Sequence, residues 1–130
     1  MLNKKVEEAL VTQLQMEFAA SYSYLAMSAY CKANALNGCG NWFNAQAQEE
    51  YAHAMKIYDY LLEQDGKVRL LAIEEPKIDF KSIVDVFETS LAQEQAVTKS
   101  INDLASLAQE EKDQATYVFL QWFITEQVEE

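Results

Sequence analysis

Apolar residues recur at steps of three and four along most of the chain, as they do in helices that bury one face. The first stripe reads Val6, Leu10, Gln13/Leu14, Glu17, Ala20/Ser21, Tyr24, Met27/Ser28 and Cys31. It predicts a helix over about 4–34, with Asn3 as its cap. Asn34 to Gly40 is expected to be a loop, short enough for the next helix to return antiparallel. The second stripe, Phe43, Gln46, Glu50, His53, Ile57 and Tyr60 or Leu61, predicts a helix over about 41–64, with Gly66 as its C′ residue. Lys67 to Ile78 reads as a long crossover stopped by Pro76, with some extended character around Val68 to Leu71. A dozen residues at ~3.3 Å each can run the length of a bundle, which allows parallel helices on either side. Asp79 is the expected cap of a third helix over about 80–108. Its stripe is close to a heptad: Phe80, Ile83, Phe87, Ser90, Glu94, Val97, Ile101, Leu104 and Ala108. Gln109 to Lys112 forms a tight turn. Asp113 then caps a fourth helix over about 113–130, with the stripe Thr116, Leu120, Phe123, Gln127 and Glu130.

Each stripe is broken by a polar residue on the inward side. Glu17 stands where a leucine would be expected, Glu50 and His53 interrupt the second helix, Glu94 the third and Gln127 the fourth. The depths agree. Glu17 and His53 each lie eighteen residues from Ala35, and Glu94 and Gln127 are equally far from the turn between residues 110 and 111. Glu50 and His53 are spaced i, i+3 and so share a helix face, where they can grip one cation together. Buried carboxylates are destabilised by desolvation and mutual repulsion, at a cost of several kcal/mol. A core that tolerates them usually holds cations between them.

Composition narrows the classes. The chain of 130 residues is expected to be one all-α domain, with only three glycines and one proline, all in two short regions. A net charge of −11 and the lack of a basic patch argue against a nucleic-acid partner and suit attraction of cations. No apolar run has the length of a membrane span, and the first residues carry no apolar signal core, so a cytoplasmic protein is expected. Cys31 and Cys39 form no Cys-x-x-Cys pair and read as inert thiols.

Glu17, the Glu50-x-x-His53 pair, Glu94 and the Glu126-Gln127-x-x-Glu130 cluster resemble the iron site of ferritins. Phe119 to Glu130 is similar to the fourth helix of bacterial non-haem ferritins, and the likeness runs from residue 1 to 130. The resemblance implies a ferritin-like four-helix bundle with one long crossover between helices two and three and a di-iron core. By the same resemblance Glu17, Glu50 and His53 bind one iron, and Glu50, Glu94 and Glu130 bind the second. Gln127 orients oxygen or water, and Tyr24 hydrogen-bonds a ligand. Glu49, Glu126 and Glu129 resemble a third iron site beside the pair. Trp122 is either an electron donor or a packing residue.

Several departures narrow the assignment. Helix four lacks the second Glu-x-x-His of bacterioferritins and rubrerythrin-like proteins, and Tyr51 replaces the methionine of a haem site. No Cys-x-x-Cys is present for a rubredoxin-type centre, and one histidine is too few for the miniature ferritins that protect DNA. Helix four, at ~27 Å, is shorter than helices one and three at ~45 Å, so it reads as truncated, with the family's fifth helix absent.

The function implied is a ferroxidase and iron-storage subunit. It oxidises Fe(II) with O₂ or peroxide and passes ferric iron to a mineral core in a homo-oligomeric cage of twenty-four subunits. Two other readings stay open: a bundle that binds or buffers metal without turnover, and a purely structural bundle. No haem, nucleic acid or membrane is expected as a partner.

Overall fold

The computed structural model describes residues 2–130 and consists of four helices, with no strand among the described residues. They are α1 (Lys4–Ala33), α2 (Asn37–Glu63), α3 (Ile83–Glu110) and α4 (Gln114–Glu129). Residues 66–80 carry no regular structure; the extended character expected around Val68 to Leu71 does not form a strand.

Side-chain hydrogen bonds between helices give their directions. Ser21 bonds the Ala47 carbonyl and Ser28 that of Gly40, so α1 and α2 are antiparallel. Asn3 near the start of α1 meets Glu111 just past α3, while Tyr24 meets Glu94, so α1 and α3 are also antiparallel. Tyr60 on α2 meets Thr116 at the start of α4. Helices α2 and α3 are therefore parallel, and the crossover carries the chain back along the bundle.

Three helices begin on a side-chain cap. Asn3 accepts from the Val6 amide, Ser82 from Asp85 and Asp113 from Thr116. The third helix thus starts at Ser82–Ile83 and not at Asp79–Phe80. Asp85 reaches back to accept from the Lys81 amide at 2.9 Å, which strengthens the cap at Ser82. Phe80 packs edge-on against Tyr30 outside the helix.

The second helix also starts earlier than expected, at Asn37, and absorbs most of the predicted loop. Gly40 is a helix–helix contact. The Ser28 hydroxyl donates to its carbonyl at 2.7 Å, and a Cβ there would lie 2.7 Å from the Lys32 side chain. At the other end, the left-handed C′ residue is Asp65 (φ 58°), not Gly66. Its neighbour Gly66 donates to the Leu61 carbonyl at 2.7 Å, the closing bond of a Schellman turn. Ala35 and Lys112 close α1 and α3 in the same way, so all three turns use residues with a Cβ.

The inward face of α3 is shifted by one residue at its start. Val86 is fully buried, whereas Phe87 is 42 % exposed and lies over Trp42 and Phe43. The observed face advances by fours through Val86, Ser90 and Glu94 before it meets the expected Val97, Ile101, Leu104 and Ala108.

The core consists of two apolar clusters. The larger contains Leu10, Leu14, Ile57, Ile101, Leu120 and Phe123, the smaller Tyr24, Met27, Cys31, Phe43, Ala47 and Val86. Between them lies a layer of buried polar side chains: Gln13, Glu17, Glu50, His53, Ser90 and Glu94. No described helix is long and apolar enough to cross a membrane.

Candidate metal centre

Each residue of the polar layer is placed by helix geometry. Glu17 lies one turn beyond Gln13 on the buried face of α1, and Glu50 and His53 are three apart on α2. Glu94 is one turn beyond Ser90 on α3, and Glu130 follows the last turn of α4. Glu17 and Glu50 are 0 % exposed.

Donor atoms of Glu17, Glu50 and His53 all lie within 4.8 Å of one another, as do those of Glu50, Glu94 and Glu130. The two groups share Glu50. His53 turns Nδ1 toward the carboxylates, 3.2 Å from Glu50 Oε2 and 3.9 Å from Glu17 Oε2. Two buried carboxylate oxygens, Glu17 Oε2 and Glu50 Oε1, have no hydrogen-bond partner among the described residues. Unpaired buried acceptors of this kind are costly unless something occupies the space between them, and a cation fits their chemistry.

The remaining oxygens are held in place. Glu17 Oε1 accepts from Gln13 Nε2 at 3.1 Å. Glu94 Oε1 accepts from the Tyr24 hydroxyl at 2.6 Å, and that hydroxyl accepts from Ser90 at 3.2 Å. Gln127 Nε2 donates to Thr98 Oγ1 at 2.9 Å and to Glu94 Oε2 at 3.3 Å. Gln127 thus sits beside the group containing Glu94.

A third group is formed by His53, Glu126 and Glu130, within the same 4.8 Å limit. The expected set of Glu49, Glu126 and Glu129 does not converge in this way among the described residues. Glu49 and Glu129 are exposed; with Glu126 and Glu130 they line a pocket of about 430 Å³ beside the centre. Trp122 is 39 % exposed, with its ring 5.5 Å from that of His53 and the Lys56 ammonium 4.0 Å above it.

Without a cation the layer favours protons. Burial, then the neighbouring Glu50, holds the Glu17 carboxyl well above the ordinary range. Burial, with Glu94 close by, pushes Glu50 up to about 8. Burial, then Glu94 and Glu49, lifts Glu130 to about 7. Burial and its bond to Glu94 push the Tyr24 phenol up.

Sequence reasoning missed Gln13, Ser90, Thr98 and Ser100 as parts of this network. Gln13 did stand on the buried stripe one turn before Glu17, which was a usable signal. Ser90 likewise stood on the third stripe one turn before Glu94. Thr98 and Ser100 stood on no stripe and gave no signal, because a hydroxyl fits an inward or an outward position equally well.

Fold and layer together define a four-helix bundle protein with a carboxylate–imidazole cluster in its core. The family model "Ferritin: Ferritin-like domain" matches residues 7–130. A bacterial non-heme ferritin of Staphylococcus aureus is 45 % identical over 130 residues, which is all of this chain and 78 % of the relative. One from Staphylococcus saprophyticus is 46 % identical over the same spans. Among solved structures, an open pore ferritin from the archaeon Archaeoglobus fulgidus superposes with a TM-score of 0.98 at 43 % identity, over 99 % of this chain and 80 % of that one. Chlorobium tepidum ferritin gives a TM-score of 0.97 at 38 % identity, over 99 % and 79 %. The chain belongs to the ferritin family.

Proposed function

We propose that this chain is a ferroxidase and iron-storage subunit, taking up Fe(II), oxidising it with O₂ or peroxide and passing Fe(III) on for storage. The observation that carries this reading is the buried polar layer, in which two donor groups meet at Glu50 and two carboxylate oxygens lack any partner among the described residues. Carboxylate oxygens with one imidazole suit ferrous iron better than they suit metals that prefer thiolates, and positions left open admit an oxidant.

Glu17, Glu50 and His53 bind the first ferrous ion, and Glu50, Glu94 and Glu130 the second, with Glu50 bridging. Each ion gives up one electron. Two electrons and two protons convert one O₂ to hydrogen peroxide, and both irons leave as Fe(III). Tyr24 holds Glu94 in its ligating position. Gln127 is tethered to Thr98 and offers an amide to the oxidant or to a water. Glu126, with Glu49 and Glu129 on the same acidic wall, receives a third iron beside the pair. Acidic residues along this route favour cation entry. Storage in a homo-oligomeric cage, with no haem, belongs to the same reading; the similar proteins carry the names ferritin and non-heme ferritin. So does a cytoplasmic location.

Rapid mixing of the metal-free protein with Fe(II) in air tests the reading. A transient visible absorbance and O₂ uptake faster than in buffer are expected. Stoichiometric Fe(II) binding with O₂ uptake no faster than buffer would make the chain a metal-binding bundle only.

A further inference from the structure

The orphaned oxygen of Glu17 has a counterpart that is firmly held. Glu17 Oε1 accepts from Gln13 Nε2 at 3.1 Å, and Gln13 Oε1 in turn accepts from the Ser100 hydroxyl at 2.5 Å. Gln13 is 1 % exposed, and Ser100 lies on α3, 87 residues away in sequence. The direction of this relay follows from hydrogen-bond chemistry. With Ser100 donating to the amide oxygen, the amide nitrogen must face Glu17, where it meets an acceptor. Once Glu17 ionises to take a cation, the flipped amide would set its carbonyl oxygen against the carboxylate, lone pair to lone pair. Glu17 Oε2, on the far side of the carboxyl, faces His53 Nδ1 at 3.9 Å.

We propose that Gln13 and Ser100 are positioning residues for Glu17: the relay ties one carboxylate oxygen back toward α3 and presents the other alone to the metal position shared with His53. Glu17 is then a one-oxygen ligand. The inference rests on reading the polar layer as an iron centre. An outer partner that orients a ligand in this way typically changes metal affinity by ten- to a hundred-fold.

His53 is the only histidine, so its resonances come from one ring, which turns Nδ1 toward the Glu17 position. The test is anaerobic Co(II) titration of the metal-free protein. Uptake beside His53 is followed by its paramagnetically shifted proton resonances, and total uptake by visible absorbance. Gln13→Leu should weaken the His53 position about tenfold and leave the Glu94–Glu130 position within about twofold. Ser100→Ala should weaken it in the same direction by less, and Ser100→Thr, which keeps the hydroxyl, should match the unaltered protein. Ser100→Ala keeps the test decisive if Gln13→Leu fails to fold. Unchanged affinity in folded Gln13→Leu or Ser100→Ala would overturn the proposal, and so would an equal loss at both positions, which marks a general packing role. If the unaltered protein takes up no Co(II), the iron-centre reading falls and this inference with it.

Discussion

The Tyr24 hydroxyl lies 2.6 Å from Glu94 Oε1, so a residue of α1 fixes the one carboxylate that α3 contributes to the polar layer. The same ring stacks on Phe43 at 6.0 Å, which ties its position to α2 as well. Tyr24→Phe keeps the ring and removes the tie. The fold should survive with a stability loss of about 1 kcal/mol, the usual net value of one hydrogen bond. Affinity at the Glu94–Glu130 position should fall about tenfold. Calorimetric titration with Zn(II), alongside thermal unfolding, checks both parts.

The metal-free protein should lose stability as the pH rises from about 4.5 to about 8. Glu50 ionises at 4.5 in an unfolded chain and at about 8 in the folded one. Across that interval the unfolded state releases a proton that the folded state retains, which favours unfolding. Below the interval both states are protonated and the penalty is absent. Glu50→Gln removes the titrating group, so its melting temperature should fall less between pH 5 and pH 8 than that of the unaltered protein. An identical fall in the two proteins would refute the assignment.

Metal binding at pH 7 should expel protons. Glu50, at about 8, and Glu130, at about 7, are wholly or partly protonated at that pH and must ionise to coordinate. Binding enthalpies measured in buffers of different ionisation enthalpy should give a release on the order of one to two protons per chain, declining toward pH 9. A release that does not change with pH would contradict the raised carboxyls.

Lys112 closes α3 with φ 57°, is exposed, and makes no side-chain hydrogen bond or salt bridge with the described residues. A side chain with a Cβ is strained in that conformation, and glycine is not. Lys112→Gly should therefore stabilise the protein by about 0.5–1 kcal/mol, even after the added chain entropy of glycine is counted. Urea unfolding reads this directly. A loss of stability would mean that the lysine contributes more than its backbone strain costs.

These turns show where sequence reasoning ran short. Periodicity located all four helices and drew Glu17, Glu50, His53 and Glu94 onto inward faces, because burial of one helix face is what periodicity encodes. It could not foresee Ala35, Asp65 and Lys112 in left-handed conformations, since nothing local marks them and Gly66 next door was the more obvious candidate. Gly38 and Gly40 suggested a loop, yet Gly40 is in the helix because α1 passes too close for a larger residue without rearrangement. Asp79 and Ser82 are both good caps; the Asp85 carboxylate, which accepts from the Lys81 amide while the Asp85 amide donates to Ser82 Oγ, favours the second. The relay through Gln13 and Ser100 joins positions 87 apart, and such pairings arise only once the bundle is assembled.

The polar layer also divides the oil of the bundle into two unequal reservoirs. The one holding Tyr24, Met27, Cys31, Phe43, Ala47 and Val86 is small, and in the ion-free protein it is joined to the larger one by helical backbone and a few hydrogen bonds rather than by continuous grease. On the proposed function, cations held by Glu17, Glu50 and Glu94 are expected to act as rivets: loading stitches the halves into a single cooperative body, and release leaves the smaller end the first to loosen.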